Sequence, residues 1–290
     1  MEPLFTILLP VVRLPDLLPF AVGSVLAQRE QRFELFIVCD GAPPETVEAA
    51  ETLAADDPRI RVFEFPKGER HGEAHRNTAL AKARGRYVCQ IGDDDLWMPN
   101  HLIEMALLLE AVEFGNLAHA KVEADGTLFS TAGDLSVEVL RRLMRDGLFN
   151  IFGPTAAGYR LETYRALPVG WSPAPPGVWT DLAMWRKFLA APGITLGTRH
   201  AVTSLHFAAA VRHDWSMARR VEETARYAAL IQTSTGRDEI RQGVMAAIVG
   251  RMWANRANEA ALANQVGPLQ QTVARLEAEL AALKAQTLDV

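Results

Sequence analysis

Long apolar runs are missing from this sequence. No stretch approaches the roughly 20 uninterrupted apolar residues of a membrane-spanning helix, although 49% of the 290 residues are hydrophobic. The N-terminus, MEPLFTILLPVVRLPD, has no basic region ahead of its apolar run, and prolines break that run, so it makes a poor signal peptide. Cysteine is nearly absent: Cys39 and Cys89 both lie inside apolar, strand-like runs and read as small buried hydrophobes rather than as a disulfide or a metal pair. A net charge of −5 excludes a general nucleic-acid binder, which would need a dominant basic surface. Phosphate loops are missing too. There is no GxGxxG after the first apolar run and no GxxxxGK[ST] anywhere, which removes the main support for dinucleotide-binding and P-loop readings. These absences leave a globular chain with a sizeable core, expected to be soluble and cytoplasmic.

What is present is carboxylate at strand ends. The run Tyr87 to Ile91 reads as a short buried strand, and Asp93, Asp94 and Asp95 follow it after Gly92. Three adjacent carboxylates repel one another, so their clustering needs a cation or a strong structural reason. Hard divalent ions suit such oxygen donors, and Mg²⁺ typically takes one or two carboxylates together with phosphate oxygens. The bland alternative is a solvated acidic loop at the start of the next helix, where the helix dipole favours anions. Pro99 reads as the first residue of that helix, which carries Leu102, Met105, Leu108 and Leu109 at apolar spacing.

Taken in order, strands alternate with helices. Leu4–Val12 and Phe33–Cys39 are apolar runs of strand length, and Arg61–Phe65 alternates. Helical spacing fills Leu17–Gln28, about Pro44–Ala55, and the stretch of Ala74, Ala79, Leu80 and Ala83 that Gly85 ends. This pattern predicts an α/β fold, with right-handed crossovers and a mainly parallel sheet. Asp40 ends the second strand as the triplet ends the fourth, so both carboxylate sites could face one crevice.

The segments FTILLPVV, FELFIVCDGAPPET, GEAHRNTALAKARGRYVCQIGDDDLWMP and VWTDLAMWRKFL resemble the inverting GT-A glycosyltransferases of family 2, over roughly residues 3–215. The resemblance implies a Rossmann-like, mainly parallel sheet with helices on both faces. It implies a nucleotide-sugar donor, with UDP favoured because Asp40 falls on the aspartate that contacts uracil, and a glycan or other hydroxyl acceptor. Pro10, Arg76 and Asp93 fall on the nucleotide side; Asp94 and Asp95, with a late histidine at His213, fall on ligands of Mn²⁺ or Mg²⁺. Asp181 falls on the general base. Three positions depart from the pattern: Cys39 and Thr180 each stand where a carboxylate is usual, and Gly92 stands at the first aspartate of the motif.

Further along, Ala124-Asp125-Gly126-Thr127 predicts a hairpin turn, Ser136 an N-cap for a helix to Arg145, and Trp171–Gly177 a loop that orders badly without a partner. Arg212 is a second candidate for a diphosphate contact. Pro268 is expected to restart a helix whose Leu269, Val273, Leu276, Leu280 and Leu283 form a heptad seam, either joining two chains or packing back on its own domain. The domain layout follows: 1–215 catalytic, divided into a nucleotide half (1–99) and an acceptor half (100–215), then a helical extension (216–266) and a short coiled-coil-like helix (267–290). Two rivals stand beside a transferase. A sugar-1-phosphate nucleotidyltransferase would want a Gly-rich loop with basic residues where PVVRLPDLLP lies, and a degenerate transferase would serve as a scaffold.

Overall fold

The structure, a computed structural model, describes residues 2–131 and 133–288, with side chains of the last helix described through residue 281. The chain divides into two compact units, Met1–Val244 and Met245–Val290. None of the described helices is long and apolar enough to cross a membrane.

Four parallel strands begin the first unit: β1 (Phe5–Val11), β2 (Phe33–Asp40), β3 (Ile60–Phe65) and β4 (Tyr87–Gln90), in spatial order β3-β2-β1-β4. The connecting helices are α1 (Leu18–Leu26), α2 (Pro44–Asp56) and α3 (Glu73–Leu80). β1 and β2 are apolar at almost every position because both faces of the sheet are covered. Phe5, Ile7, Leu9 and Val11 pack with Val22 of α1 and Met105 of α4 (His101–Ala111). The alternate residue Leu8 joins Phe36, Val38 and Val88 on the other face, beside Leu80 of α3. Strand order reverses at β1, with β2 on one side and β4 on the other, which opens a crevice at their C-terminal ends.

Beyond β4 the sheet is mixed. β5 (Leu96–Trp97), β6 (Phe114–Val122), β7 (Leu128–Phe129), β8 (Ala157–Arg160) and β9 (Leu196–His206) extend the order to β3-β2-β1-β4-β8-β6-β9-β5, with β7 on β6. β6 runs parallel to β9, but the pairs β4–β8, β6–β8, β5–β9 and β6–β7 are antiparallel. The expected parallel sheet therefore describes the first four strands, and the whole is a mixed α/β sheet. A hairpin needs no helical crossover, and Gly126, at φ +83°, supplies the turn between β6 and β7.

The remaining helices are α5 (Glu138–Asp146), α6 (Leu161–Ala166), α7 (Thr180–Ala190), α8 (Met217–Gln232) and α9 (Ser234–Leu288). The first unit thus includes α8 and runs past the Trp215 at which the sequence reading closes the catalytic domain. Helix starts differ from expectation at three places. α4 begins at His101 rather than at Pro99, because the buried Gln28 accepts the Leu102 N–H with its Oε1 and donates to the Met98 carbonyl. Ser136 does not cap α5; its own N–H is taken by Asp134 Oδ1 in a preceding turn, and the helix opens two residues later. Pro268 starts nothing: α9 runs through it. The loop 171–177 is held from within the chain, since the Trp171 N–H donates to the Tyr164 hydroxyl and its indole Nε1 to Tyr159.

Candidate active site

Every sequence-predicted carboxylate of the first unit lies at the crevice end of the sheet, and each is already engaged. Asp40 closes β2 with its side chain almost wholly buried, accepting from Lys67 Nζ and the Gly68 N–H, each at 2.6 Å. Gly72 makes room for it. That residue sits at φ +69°, and a Cβ there would come within 2.4 Å of Asp40 Cγ. Pro10 lies next to the C-terminal end of β1, opposite Val38 of β2.

The acid triplet is held by cations of the chain itself. Arg13 Nε lies 2.9 Å from Asp93 Oδ2 and its Nη1 lies 2.8 Å from Asp94 Oδ2; Arg220 Nη2, from α8, reaches the same Asp94 oxygen at 2.8 Å. Asp95 accepts from His206 Nδ1 and the Phe207 N–H, both at 3.0 Å, and from the Thr155 hydroxyl. Gly92 closes the turn. A Cβ there would stand 3.0 Å from Asp95 Oδ2 and 3.3 Å from Asp94 Oδ1, so the glycine at this departure from the family pattern leaves the carboxylates their space. Burial pushes the Asp93 carboxyl up, and the charges of Asp94 and Asp95 add to that, against the pull of Arg13.

The histidine beside the triplet is His206. Pairing of β5 with β9, Leu96 opposite Leu205, carries it there. His213, placed in the metal set by the sequence reading, is exposed and bonds through Nδ1 with the Ala210 carbonyl. Arg212 is buried against Glu223 of α8 and donates to the Val122 carbonyl, a structural tie. The Asp95 carboxylate raises His206 to about 9 from 6.5, mainly through its charge. A raised histidine adds stability that is complete below pH 6.5 and is lost as pH climbs through 9. Its side chain is 41% exposed, so solvent screens the pair. Wild type should lose about 1–3 °C more in Tm than His206→Gln between pH 7 and pH 10. Parallel curves from calorimetry would show that the pair carries no such charge.

Asp181 stands in the first turn of α7. Its Oδ1 accepts the Leu182 N–H and its Oδ2 the amide of Asn150, each at 2.8 Å. Burial raises its carboxyl above the ordinary carboxylate range, outweighing that N–H and the fields of His206 and Arg76. It lines a cleft of about 270 Å³ with His71, Arg76, Gln90, Trp171 and Thr180. Arg76 is 6% exposed, lies 5.0 Å over the Trp171 ring and donates from Nη2 to the His71 carbonyl. Among the described residues its Nε and Nη1 have no hydrogen-bond partner, nor has Oε1 of Gln90, which lines the same cleft. Burial pushes the guanidinium down from its usual value. The Thr180 hydroxyl donates to Glu73 Oε1 at 2.8 Å, which ties the start of α7 to the start of α3. Thr180 thus brings a buried carboxylate of another helix to the position where the family usually carries its own.

The arrangement combines a buried carboxylate in a cleft, donors and an acceptor there without partners among the described residues, and acidic groups at the C-terminal ends of the strands. The family model for "Glycosyl transferase family 2" matches residues 6–165. The chain belongs to glycosyl transferase family 2. Among curated relatives, it is 30% identical over 110 residues to the Escherichia coli UDP-Glc:alpha-D-GlcNAc-diphosphoundecaprenol beta-1,3-glucosyltransferase WfgD, covering 37% of this chain and 42% of that one. It is 29% identical over 128 residues to the putative teichuronic acid biosynthesis glycosyltransferase TuaG of Bacillus subtilis, covering 43% and 50%. Alignments span only 12%, 27% and 41% of the length of three further relatives. In fold, the chain is similar to Staphylococcus aureus TarS 1-349 in complex with UDP-GlcNAc, with a TM-score of 0.55 at 17% identity over 72% of this chain and 59% of that one. This family 2 member therefore has the GT-A fold.

Sequence reasoning missed Arg13, Arg220, Gln90 and Glu73. Only Gln90 carried a signal, as a polar residue inside the apolar run that becomes β4.

Proposed function

We propose that this family 2 protein transfers a sugar, with inversion, from a UDP-sugar to a hydroxyl acceptor such as a glycan. The observation that carries the reading is a cleft lined by buried Asp181, Arg76 and Gln90, in which Arg76 Nε and Nη1 and Gln90 Oε1 have no hydrogen-bond partner among the described residues. Buried polar atoms without partners cost free energy unless a ligand satisfies them, and a sugar offers both donors and acceptors. Asp181 would take the proton of the acceptor hydroxyl as its oxygen bonds to the anomeric carbon and the bond to the diphosphate breaks. Asn150 and the Leu182 N–H hold both carboxylate oxygens in place, and burial makes this carboxylate a stronger base. Attack from Asp181's side, opposite the leaving UDP, inverts the anomeric centre. Relatives named for UDP-glucose and bound to UDP-GlcNAc support uridine, as does Asp40 at the end of β2.

A divalent cation fits the triplet in a limited way. Among the described residues, no group of three or more His, Cys, Asp and Glu side chains is arranged to hold a metal alone. One or two carboxylates with phosphate oxygens suffice for Mg²⁺, however. Both guanidinium contacts of Asp94 go to its Oδ2, while Asp95 already has three donors. Asp94, with Asp93 beside it, is therefore the residue that would hold Mn²⁺ or Mg²⁺, which would offset charge on the diphosphate. Arg13 and Arg220 supply positive charge at the same place from the protein itself.

Thermal shift tests the donor assignment, because a ligand that binds only the folded state raises Tm by mass action. UDP should raise Tm, more so with Mn²⁺ present, and Asp94→Ala should remove the metal-dependent part. Equal shifts from UDP and GDP would remove Asp40 from base recognition, and no shift from any nucleotide would overturn the reading.

A further inference from the structure

Helix α9 leaves an ordered row of large apolar side chains in water. Leu262, Val266, Leu269, Val273, Leu276 and Leu280 are each between 45% and 64% exposed. Their spacing alternates four and three, which keeps one stripe facing one way along the helix. Position 283, a leucine by sequence, continues the stripe, and its side chain lies outside the described residues. The same register carried towards the N-terminus meets Asn255 and Glu259, so the apolar seam begins at Leu262.

Three features choose the occupant of that seam. The first is the kind of residue at each layer. With Val266, Val273 and Leu280 at the a positions, Leu262, Leu269 and Leu276 fall at d, and β-branched a with leucine d favours a parallel two-stranded coil. The second is charge. Glu279 then occupies a g position and position 284, a lysine, the following e position. In a parallel, in-register pair a g position lies beside the e position of the next heptad on the other chain, so each glutamate meets a lysine, twice over by symmetry. The third is what stays outside. Gly267 and Pro268 fall at b and c, away from the seam, where the missing proline N–H and ring disturb no contact between chains. Arg275 and Glu279 pair along the flank at 3.7 Å.

We propose that residues 262–283 of α9 form a parallel, in-register two-stranded coiled coil with a second copy of this chain. At about 1.5 Å per residue the seam is about 33 Å long, three heptads, and it covers side chains that the single chain leaves in water.

Light scattering on the 290-residue chain at tens of micromolar should give twice the 31.9 kDa of one chain. Leu269→Glu combined with Leu276→Glu should return it to one chain. Leu276→Cys tests direction. In a parallel, in-register pair the two introduced thiols face each other, so mild oxidation should yield a covalent dimer; Cys39 and Cys89 are buried and do not compete. Glu279→Lys should weaken the dimer, and adding Lys284→Glu should restore it. A monomeric or trimeric wild type would overturn the proposal, as would a dimer indifferent to the two glutamates. A dimer that forms but does not cross-link through position 276 would overturn the parallel arrangement.

Discussion

Asp181→Asn should lower turnover by about 10²–10⁴-fold, the usual worth of general-base catalysis, while UDP affinity and Tm stay close to wild type. The substitution keeps the side chain's size. It also keeps an oxygen for the Leu182 N–H, so the first turn of α7 retains its contact. What it removes is the carboxylate that burial makes basic. A capping role alone predicts the reverse: Tm falls by a few degrees and turnover stays nearly intact. Measuring both quantities on one variant separates the two roles, because a loss confined to turnover places the group at the reacting atoms. The contact with Asn150 gives a control. Asn150→Ala should cost less, since it loosens the carboxylate without deleting it.

The second large effect is expected at Arg76, and its signature is a split between stability and activity. Arg76→Met keeps the stem over the Trp171 ring and deletes a buried guanidinium that has no acidic partner within salt-bridge distance among the described residues. Burial disfavours this charge more than the fields of Glu73, Asp40 and Asp181 favour it, so losing it together with the bond to the His71 carbonyl should leave Tm close to wild type. Two charge-assisted hydrogen bonds to substrate, at about 1.5–3 kcal/mol each, would be lost, which lowers kcat/KM by about 10²–10⁴-fold. A fall of several degrees in Tm with kcat/KM unchanged would make Arg76 a structural residue. Arg76→Lys should not rescue activity, because a single ammonium on a flexible stem cannot reproduce the planar fan of donors.

The nucleotide half was legible because its signals are local. β1 and β2 are buried on both faces and so read as largely apolar runs; Asp40 is the last residue of β2, and the triplet follows β4 after only Ile91 and Gly92. The contacts that hold those acids were not legible. Arg13 lies 81 residues from Asp94, and Arg220 lies 126 residues from it on a helix with no motif of its own. His213 was preferred to His206 because the register of β9 on β5, a strand of only two residues that no periodicity reveals, cannot be read from sequence. Pro268 read as a helix start because proline favours a first turn; in α9 it is tolerated inside a long helix, on a face turned away from the seam. Ser136 failed as a cap because the helix opens one residue later than expected, with the carbonyl of Val137 at the N-cap accepting the N–H groups of Leu140 and Arg141.

The central claim is that sugar leaves a UDP donor by one displacement at the Asp181 cleft. Proton NMR of the anomeric signals tests it most directly, with the protein, Mn²⁺ and α-linked UDP-glucose or UDP-N-acetylglucosamine, and water or a glycan as acceptor. At least one donor should be consumed, and the first product to appear should be the β anomer. First appearance of the α anomer would contradict a single inverting displacement, and no consumption of any UDP-sugar would contradict the donor assignment itself.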